Sequence, residues 1–488
     1  MICKTKFLLI LFFTIIIVNA SAQESQVMYF MNLPQNHLLN PAIRPDNSFY
    51  LGLPVLSGIY AGINNDFLEL KDVFIPGLKS GSNLAFQQPD FDLNKIVDKL
   101  KDQNNISANV NLQLLGLGFA AGKDLYFFID IIDRVETEAV FPKSYLELLI
   151  NGNDQFLNQT IDLSGLNLKA QYFREFGFGF SKNITEKLRL GAKVKLLAGI
   201  VSGTLDNRTM SLEVNDAFSQ TVKADASFDI SGNTWLTKMN NDLNNKNPSS
   251  LIRDYALNSL SNSGLGVDFG AVYNLNKMIS LSASITDLGF INWKNDLKSY
   301  EAKNSFVLSG LSLKDVVDQN ISSDDLVREI KDTLRNSFIK NPKPSSFRTY
   351  LPANVLLGAN LNLFQILSFG VLSCSKIYYG QIKEALTLSA NAYIGKVLSG
   401  TLSYTAANYT YNNFGIGIAC KTGPIQIYVT ADKIPSKWSK VYIEKPDQKF
   451  LALSLPDRWY ALNFQFGVNI LFGKMGTKKV DKPMILIE

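Results

Sequence analysis

His37 is the only histidine of the 488-residue chain, and it stands in "LPQNHLLNPAIRP". A Ser-His-Asp hydrolase would have to use it as the base. It precedes the first strand-like segment, however, and the chain carries no Gly-x-Ser-x-Gly elbow. Catalysis is not expected, and no cofactor is implied. The cysteines are Cys3, Cys374 and Cys420. The last two lie far apart in sequence and cluster with neither histidine nor carboxylates, so neither a zinc or iron centre nor a disulfide is expected.

Two other groups of residues carry chemistry. Asn40-Pro41-Ala42 is followed by Arg44-Pro45. The two prolines fix their own backbone and bias Asn40 and Arg44 towards extended conformations. Such a stretch serves either as a stiff plug or latch, or as a plain turn that launches the first strand. Arg189, Lys193 and Lys195 alternate with Leu188, Leu190, Ala192, Val194 and Leu196, so all three point away from the apolar face. They would favour anions in a pore or, as buried charges more commonly do, pair with carboxylates such as Glu175 and Asp268.

The elements that position these residues are strands. "RWYALNFQFGVNILFG" (458–473) sets Phe464, Phe466, Val468, Ile470 and Phe472 on one side of a two-residue period and Asn463, Gln465, Gly467 and Asn469 on the other. Fourteen segments read this way, near 49–60, 107–120, 125–133, 166–180, 187–203, 264–275, 278–290, 351–363, 366–376, 385–394, 397–407, 413–420, 425–432 and 458–472. Short turns at 121–124, 181–186, 274–277, 364–365, 395–396 and 421–424 alternate with longer connections, the one at 408–412 excepted. Two extra alternating pieces near 209–216 and 221–230 either raise the count to sixteen or form a hairpin standing on a long loop. The hairpin is the reading adopted. Helical pieces are expected in the loops at 91–103, 142–150 and 326–338, the last from Leu326, Ile330, Leu334 and Phe338.

The large faces need an apolar partner. A soluble sandwich would pair two such faces, but many of these strands exceed the usual five to six residues and their second face is Gly, Asn, Ser, Thr, Lys and Asp. Hydrocarbon is the better partner. The composition agrees: 46% hydrophobic, 11% aromatic and 19% charged, against roughly 25% charged in soluble domains. The leader "MICKTKFLLILFFTIIIVNASAQ" has a basic start, an apolar run and Ala20-Ser21-Ala22 before Gln23, the parts of a secretory signal cleaved after residue 22. Net charge is +5, and Lys4 and Lys6 lie in the leader, leaving +3. Nucleic-acid binding is not expected. No later stretch could form a membrane-crossing helix, so a spanning chain must be a closed barrel. Two positions resist a simple alternation. Arg174 shares a face with Tyr172, Phe176, Phe178 and Phe180, so it either snorkels at the outer rim or a bulge at Phe173 switches the faces. Asp287, with Trp293 and Lys294 behind it, reads as a rim position.

"NHLLNPAIRPDNSFYLGLPVLSGIYAGINNDF" (36–67) and "SGLGVDFGAVYNLNKMISLSASITDLGFINWKN" (263–295) resemble the matching segments of a Bacteroidota outer-membrane barrel family defined only as a domain of unknown function. "NPA" near the mature N-terminus is more distantly similar to barrels associated with type IX secretion and gliding, and the strand count resembles the long-chain fatty acid transporter class. The resemblance implies an outer-membrane address and supplies no substrate.

The expectation is therefore an all-β transmembrane barrel of about fourteen strands (range 12–16) in a Gram-negative outer membrane. It comprises a signal peptide (1–22), an N-terminal periplasmic or plug segment (23–48), the barrel (49–473) and a tail (474–488), with both termini periplasmic. Its partners are outer-membrane lipid, an unidentified small solute, hydrophobic solutes included, and envelope proteins. The leading role is transport or diffusion of that solute. The alternative is a barrel that anchors or assembles components of a secretion or gliding machinery.

Overall fold

Strands whose faces alternate, joined by turns that need a left-handed residue, form hairpins. Gly122, Gly395 and Gly423 supply that conformation at three of the tight connections, with φ of 80°, 60° and 58°. The structure is a computed structural model. It describes residues 26–473 except 66, 70–71, 73–93, 153, 216–218, 233, 235–261, 310–338, 341–344, 365, 379–380, 396, 408–409, 435–437, 445–449 and 457–460.

The first barrel strand, β1, comes in two pieces, Phe49–Gly52 and Ile59–Asn65. The next six are β2 (Gln103–Ala121), β3 (Leu125–Pro142), β4 (Asn167–Asn183), β5 (Leu188–Val214), β6 (Asn262–Asn274) and β7 (Ile279–Trp293). The second half holds β8 (Ala353–Phe364), β9 (Leu367–Tyr378), β10 (Gln381–Ile394), β11 (Leu398–Ala407), β12 (Thr410–Thr422), β13 (Ile425–Ile434) and β14 (Ala461–Phe472). Each pairs antiparallel with its neighbours in sequence. β14 returns to β1, Phe472 opposite Phe49 and Phe466 opposite Ile59. The sheet closes on itself with fourteen strands, which rules out the stacked-sheet sandwich.

Between its two pieces β1 loops outward. Residues 53–58 stand where β14 advances only from Phe466 to Asn469. Val55, at φ 68°, and Leu56 are exposed at the tip, and Ser57 is fully buried on the inner side.

The apolar residues of the two-residue period lie on the outer face. Phe178, Val194, Phe269, Leu357, Leu402 and Ile418 are all exposed there, as a bilayer-solvated barrel requires. Arg174 is on this face too. The pairing of β4 with β5 is irregular between Tyr172 and Phe173, but the extra residue, Ile200, is in β5, so alternation along β4 continues unbroken. Arg174 is instead matched by Asp133 on β3, with Nε 2.8 Å from Oδ1 and Nη2 3.2 Å from Oδ2. A two-pronged ion pair of this kind offsets the cost of an arginine at the lipid boundary.

The long-loop end is more structured than the tight-turn end. β5 overshoots the barrel, and its outer part pairs with Ser219–Ser231, which pairs with Leu297–Ser309. The hairpin standing on a long loop is thus present, as part of a small sheet. Helix Lys143–Asn151 packs over it through Leu148, against Ile161, Leu212, Val214 and Val222. Of the expected helix at 91–103, Asn94–Val97 is helical, residues 91–93 lie outside the described residues, and β2 already begins at Gln103. The one at 326–338 lies outside the described residues. The connection at 377–384 is a tight hairpin rather than a long loop, since Tyr378 pairs with Gln381. Alternation simply continues through Ile377 and Ile382, both exposed on the outer face. Cys374 is buried, Cys420 is exposed, and the two are not joined by a disulfide.

Val194, 51% exposed and flanked by Phe178 and Val267, sits within the apolar outer band. Val194→Arg is expected to destabilise the protein by about 2–4 kcal/mol in lipid vesicles, read as a shift of the urea unfolding midpoint.

Candidate functional site

Residues 26–48 enter the lumen before the first strand begins. Helix α1 (Gln26–Phe30) is buried along its whole length, and a 3-10 turn (Pro34–Leu38) follows. The wall receives them at inward-facing glycines. A Cβ at Gly417 would strike Met31, at Gly358 Tyr29, at Gly191 Pro41 and at Gly270 Asn40. These are close approaches that only glycine permits. Hydrogen bonds tie the segment to strands all round the ring. Val27 N–H donates to Asp432 (2.9 Å), Ser284 Oγ donates to Leu39 O (2.7 Å) and Ser181 Oγ donates to Ala42 O (3.1 Å). Gln35 and Asn469 exchange amide hydrogen bonds of 2.6 and 3.0 Å, and Gln35 also donates to Ser57 O at the inner side of the β1 break.

Asn40, Pro41 and Ala42 are buried. Asn40 Oδ1 accepts the Ala42 N–H at 2.9 Å, a side-chain turn that satisfies the donor following the proline. Arg44 lies towards the tight-turn mouth. Burial pulls its guanidinium below the ordinary value, opposed by Asp124 and Asp46. Pro45 is buried beside it. Asn47 Nδ2 donates to Gly473 O at 3.0 Å, which ties the segment's end to the end of β14.

His37 sits against Phe128, ring centroids 4.4 Å apart, with Nδ1 2.6 Å from Pro34 O and Nε2 2.8 Å from Asp130 Oδ2. Asp130 begins a chain of buried charges. Lys193 Nζ lies 3.2 Å from Asp130 and 2.8 Å from Glu175. Arg134 joins Glu175 (3.1 Å) to Asp287 (2.7 Å) and Glu136 (2.9 Å). Lys195 joins Asp287 (2.6 Å) to Asp268 (2.8 Å). Lys193, Lys195 and Asp268 therefore belong to one network, and Arg189 stands apart from it, 3.4 Å from Ala42 O.

Asp287 corrects the rim reading. It is the extra residue of a β-bulge, where Thr286 and Asp287 together face Asp268, and its φ of 61° turns the carboxylate inward. Trp293 is likewise internal. It is fully buried, stacked on Phe347 at 6.1 Å with Phe173, Leu197 and Ile291 close by, and its indole N–H donates to Thr349. Strict alternation places Asp287 on the outer face, and only the bulge reverses that. Asp130, Arg134 and Gln35 were also missed by sequence reasoning. The visible signal was a carboxylate and a guanidinium on the inward period of β3.

Between the segment and this network lies a cavity of about 80 Å³. Met28, Leu38 and Leu39 form its apolar floor, and Tyr60, Asn111, Gln113, Gln465 and the network residues form its walls. Among the described residues no cluster of histidine, cysteine or carboxylates suits a metal ion.

Residues 41–432 match the model of a family of unknown function, DUF5723. The chain belongs to that family. No curated protein sequence matches it. Among solved structures, it is similar to a Pseudomonas aeruginosa FadL homologue, at 10% identity and a TM-score of 0.41 over 94% of this chain and 100% of that one. It is also similar to the Ralstonia pickettii toluene transporter TbuX, at 10% identity and 0.38 over 90% and 94%, and to the Pseudomonas putida toluene transporter TodX, at 12% and 0.37 over 92% and 94%. The family match begins at Pro41, within the NPA segment, and ends at Asp432, near the end of β13.

Asp287→Asn keeps a side chain that tolerates the left-handed backbone but strips the charge that Arg134 and Lys195 share. It is expected to cost about 3–5 kcal/mol, measured by urea unfolding of the vesicle-reconstituted protein.

Proposed function

We propose that the chain is an integral outer-membrane protein that passes a small solute through the barrel, with residues 26–48 as a seated plug that must shift for passage. The observation that carries this reading is the cavity on the plug's inner surface. It is bounded by the plug on one side and the barrel wall on the other, so a movement of the plug away from that wall enlarges it. The outward apolar band supports a bilayer setting. The break in β1 supports a path that reaches the wall as well as the mouth, because Gly58 and Tyr60 line the cavity next to the outward loop at 53–56. The paired state of Lys193 and Lys195 speaks against an anion filter, since each already faces carboxylates within 3.2 Å. His37 is committed to Pro34 and Asp130, which supports a non-enzymatic role.

A second reading has one observation in its favour. The small sheet built by the β5 overshoot, Ser219–Ser231 and Leu297–Ser309 stands off the barrel and offers a surface on which an envelope partner could be assembled.

Asp130→Ala removes the plug's contact through His37 Nε2 and is expected to raise single-channel conductance in planar bilayers above that of the wild-type protein. Equal conductance in both, together with stable co-purification of another envelope protein, would transfer support to the assembly role.

A further inference from the structure

The inner wall is divided by charge. From β3 to β7 it carries the network of paired lysines, arginine and carboxylates. The adjoining strands β13, β14, β1 and β2 present uncharged groups beside the cavity, Asp432 excepted. Register places Gln465 opposite both Thr430 and Tyr60, and Tyr60 opposite Asn111. Asn463 lies one inward position further along β14, opposite Gly62. These side chains therefore form one contiguous patch, of which Tyr60, Asn111 and Gln465 touch the cavity.

The patch is built but incompletely satisfied. Gln465 is 5% exposed, and Asn463 and Thr430 are each 1% exposed. Gln465 Oε1, Asn463 Nδ2, Thr430 Oγ1 and Asn111 Oδ1 have no hydrogen-bond partner among the described residues. Buried polar atoms left in this state cost free energy that a ligand or water recovers. Two of the unpaired groups are amide carbonyls that only accept, one is an amide nitrogen that only donates, and one is a hydroxyl that does both. The opposite wall is internally paired, and the one carboxylate on this side, Asp432, opposite Asn463, accepts the Val27 N–H at 2.9 Å, so the patch offers no cation to an anionic solute. A hydrocarbon would leave all four groups unsatisfied.

We propose that this patch is a binding subsite for a small uncharged polyol. Hydroxyl groups donate as well as accept, so neighbouring ones can serve the Gln465 and Asn111 carbonyls where the patch lines the cavity, while the C–H face of the molecule rests on Met28 and Leu39 of the plug. The cavity volume of about 80 Å³ corresponds to about three water molecules, which suits the end of a short polyol in the seated state. The proposal rests on the solute-path reading and names its solute class.

Saturation-transfer NMR on the full-length protein in detergent tests it, with erythritol, glycerate and toluene as probes. Erythritol is expected to receive saturation and the other two are not. Gln465→Leu and Asn111→Leu should each weaken erythritol binding about fivefold, while Thr401→Val, at a buried position on β11 away from the patch, should leave it unchanged. Heat-modifiable migration checks that each variant is folded, and the two patch variants are independent of one another. Absence of transfer to erythritol from folded wild-type protein, or equal transfer from all variants, would mean that the patch holds water only and would overturn the proposal. The solute-path reading would survive that result provided Asp130→Ala still conducts.

Discussion

A sheet that stands in hydrocarbon can have no open edge, because each unpaired N–H or C=O there costs several kcal/mol. The pairing of Phe472 with Phe49 therefore governs everything else in this molecule. Closure sends one face of every strand outward and the other inward. It thereby fixes which residues meet lipid and which share the lumen. It also explains how the chain carries so many buried charges. Asp130, Lys193, Glu175, Arg134, Asp287, Lys195 and Asp268 come from five different strands, and only a closed wall brings them within 4 Å of one another.

The N-terminal segment is the counterpart of that closure. The lumen charges pair mainly with one another, and the segment fills the space that the inward glycines leave. Glycines at 191, 270, 358 and 417 form its seat, and Asp130, Asn469 and Asp432 anchor it through hydrogen bonds. The uncharged patch of β13, β14, β1 and β2 is where this matching stops. Functional cavities are usually found at such gaps in an otherwise saturated interior.

Most of the barrel was legible because its signal is local. A two-residue period and a Gly- or Asn-bearing turn are both readable within about ten residues, and all fourteen strands follow from them. What escaped depends on residues far apart. Arg174 looked anomalous because its partner, Asp133, sits on the neighbouring strand 41 residues away. Asp287 was placed on the rim because a bulge adds one residue without altering composition, which inverts the face of everything beyond it. The connection at 377–384 reads as a longer one between the strands at 366–376 and 385–394, yet strands that leave the bilayer keep pairing in water, here as far as Tyr378 and Gln381. The stretch containing Asn40, Pro41 and Ala42 could be singled out as stiff. Its neighbours could not be named, since they lie on strands more than a hundred residues downstream.

Gln35 and Asn469 are 434 residues apart, nearly the length of the described chain. Their mutual amide bonds can form only after the final strand has arrived, so the segment ahead of the barrel waits for its last strand. Joining such distant partners is the slow kind of event in a topology of non-local contacts, and the segment's arrival in place is the closing act of biogenesis.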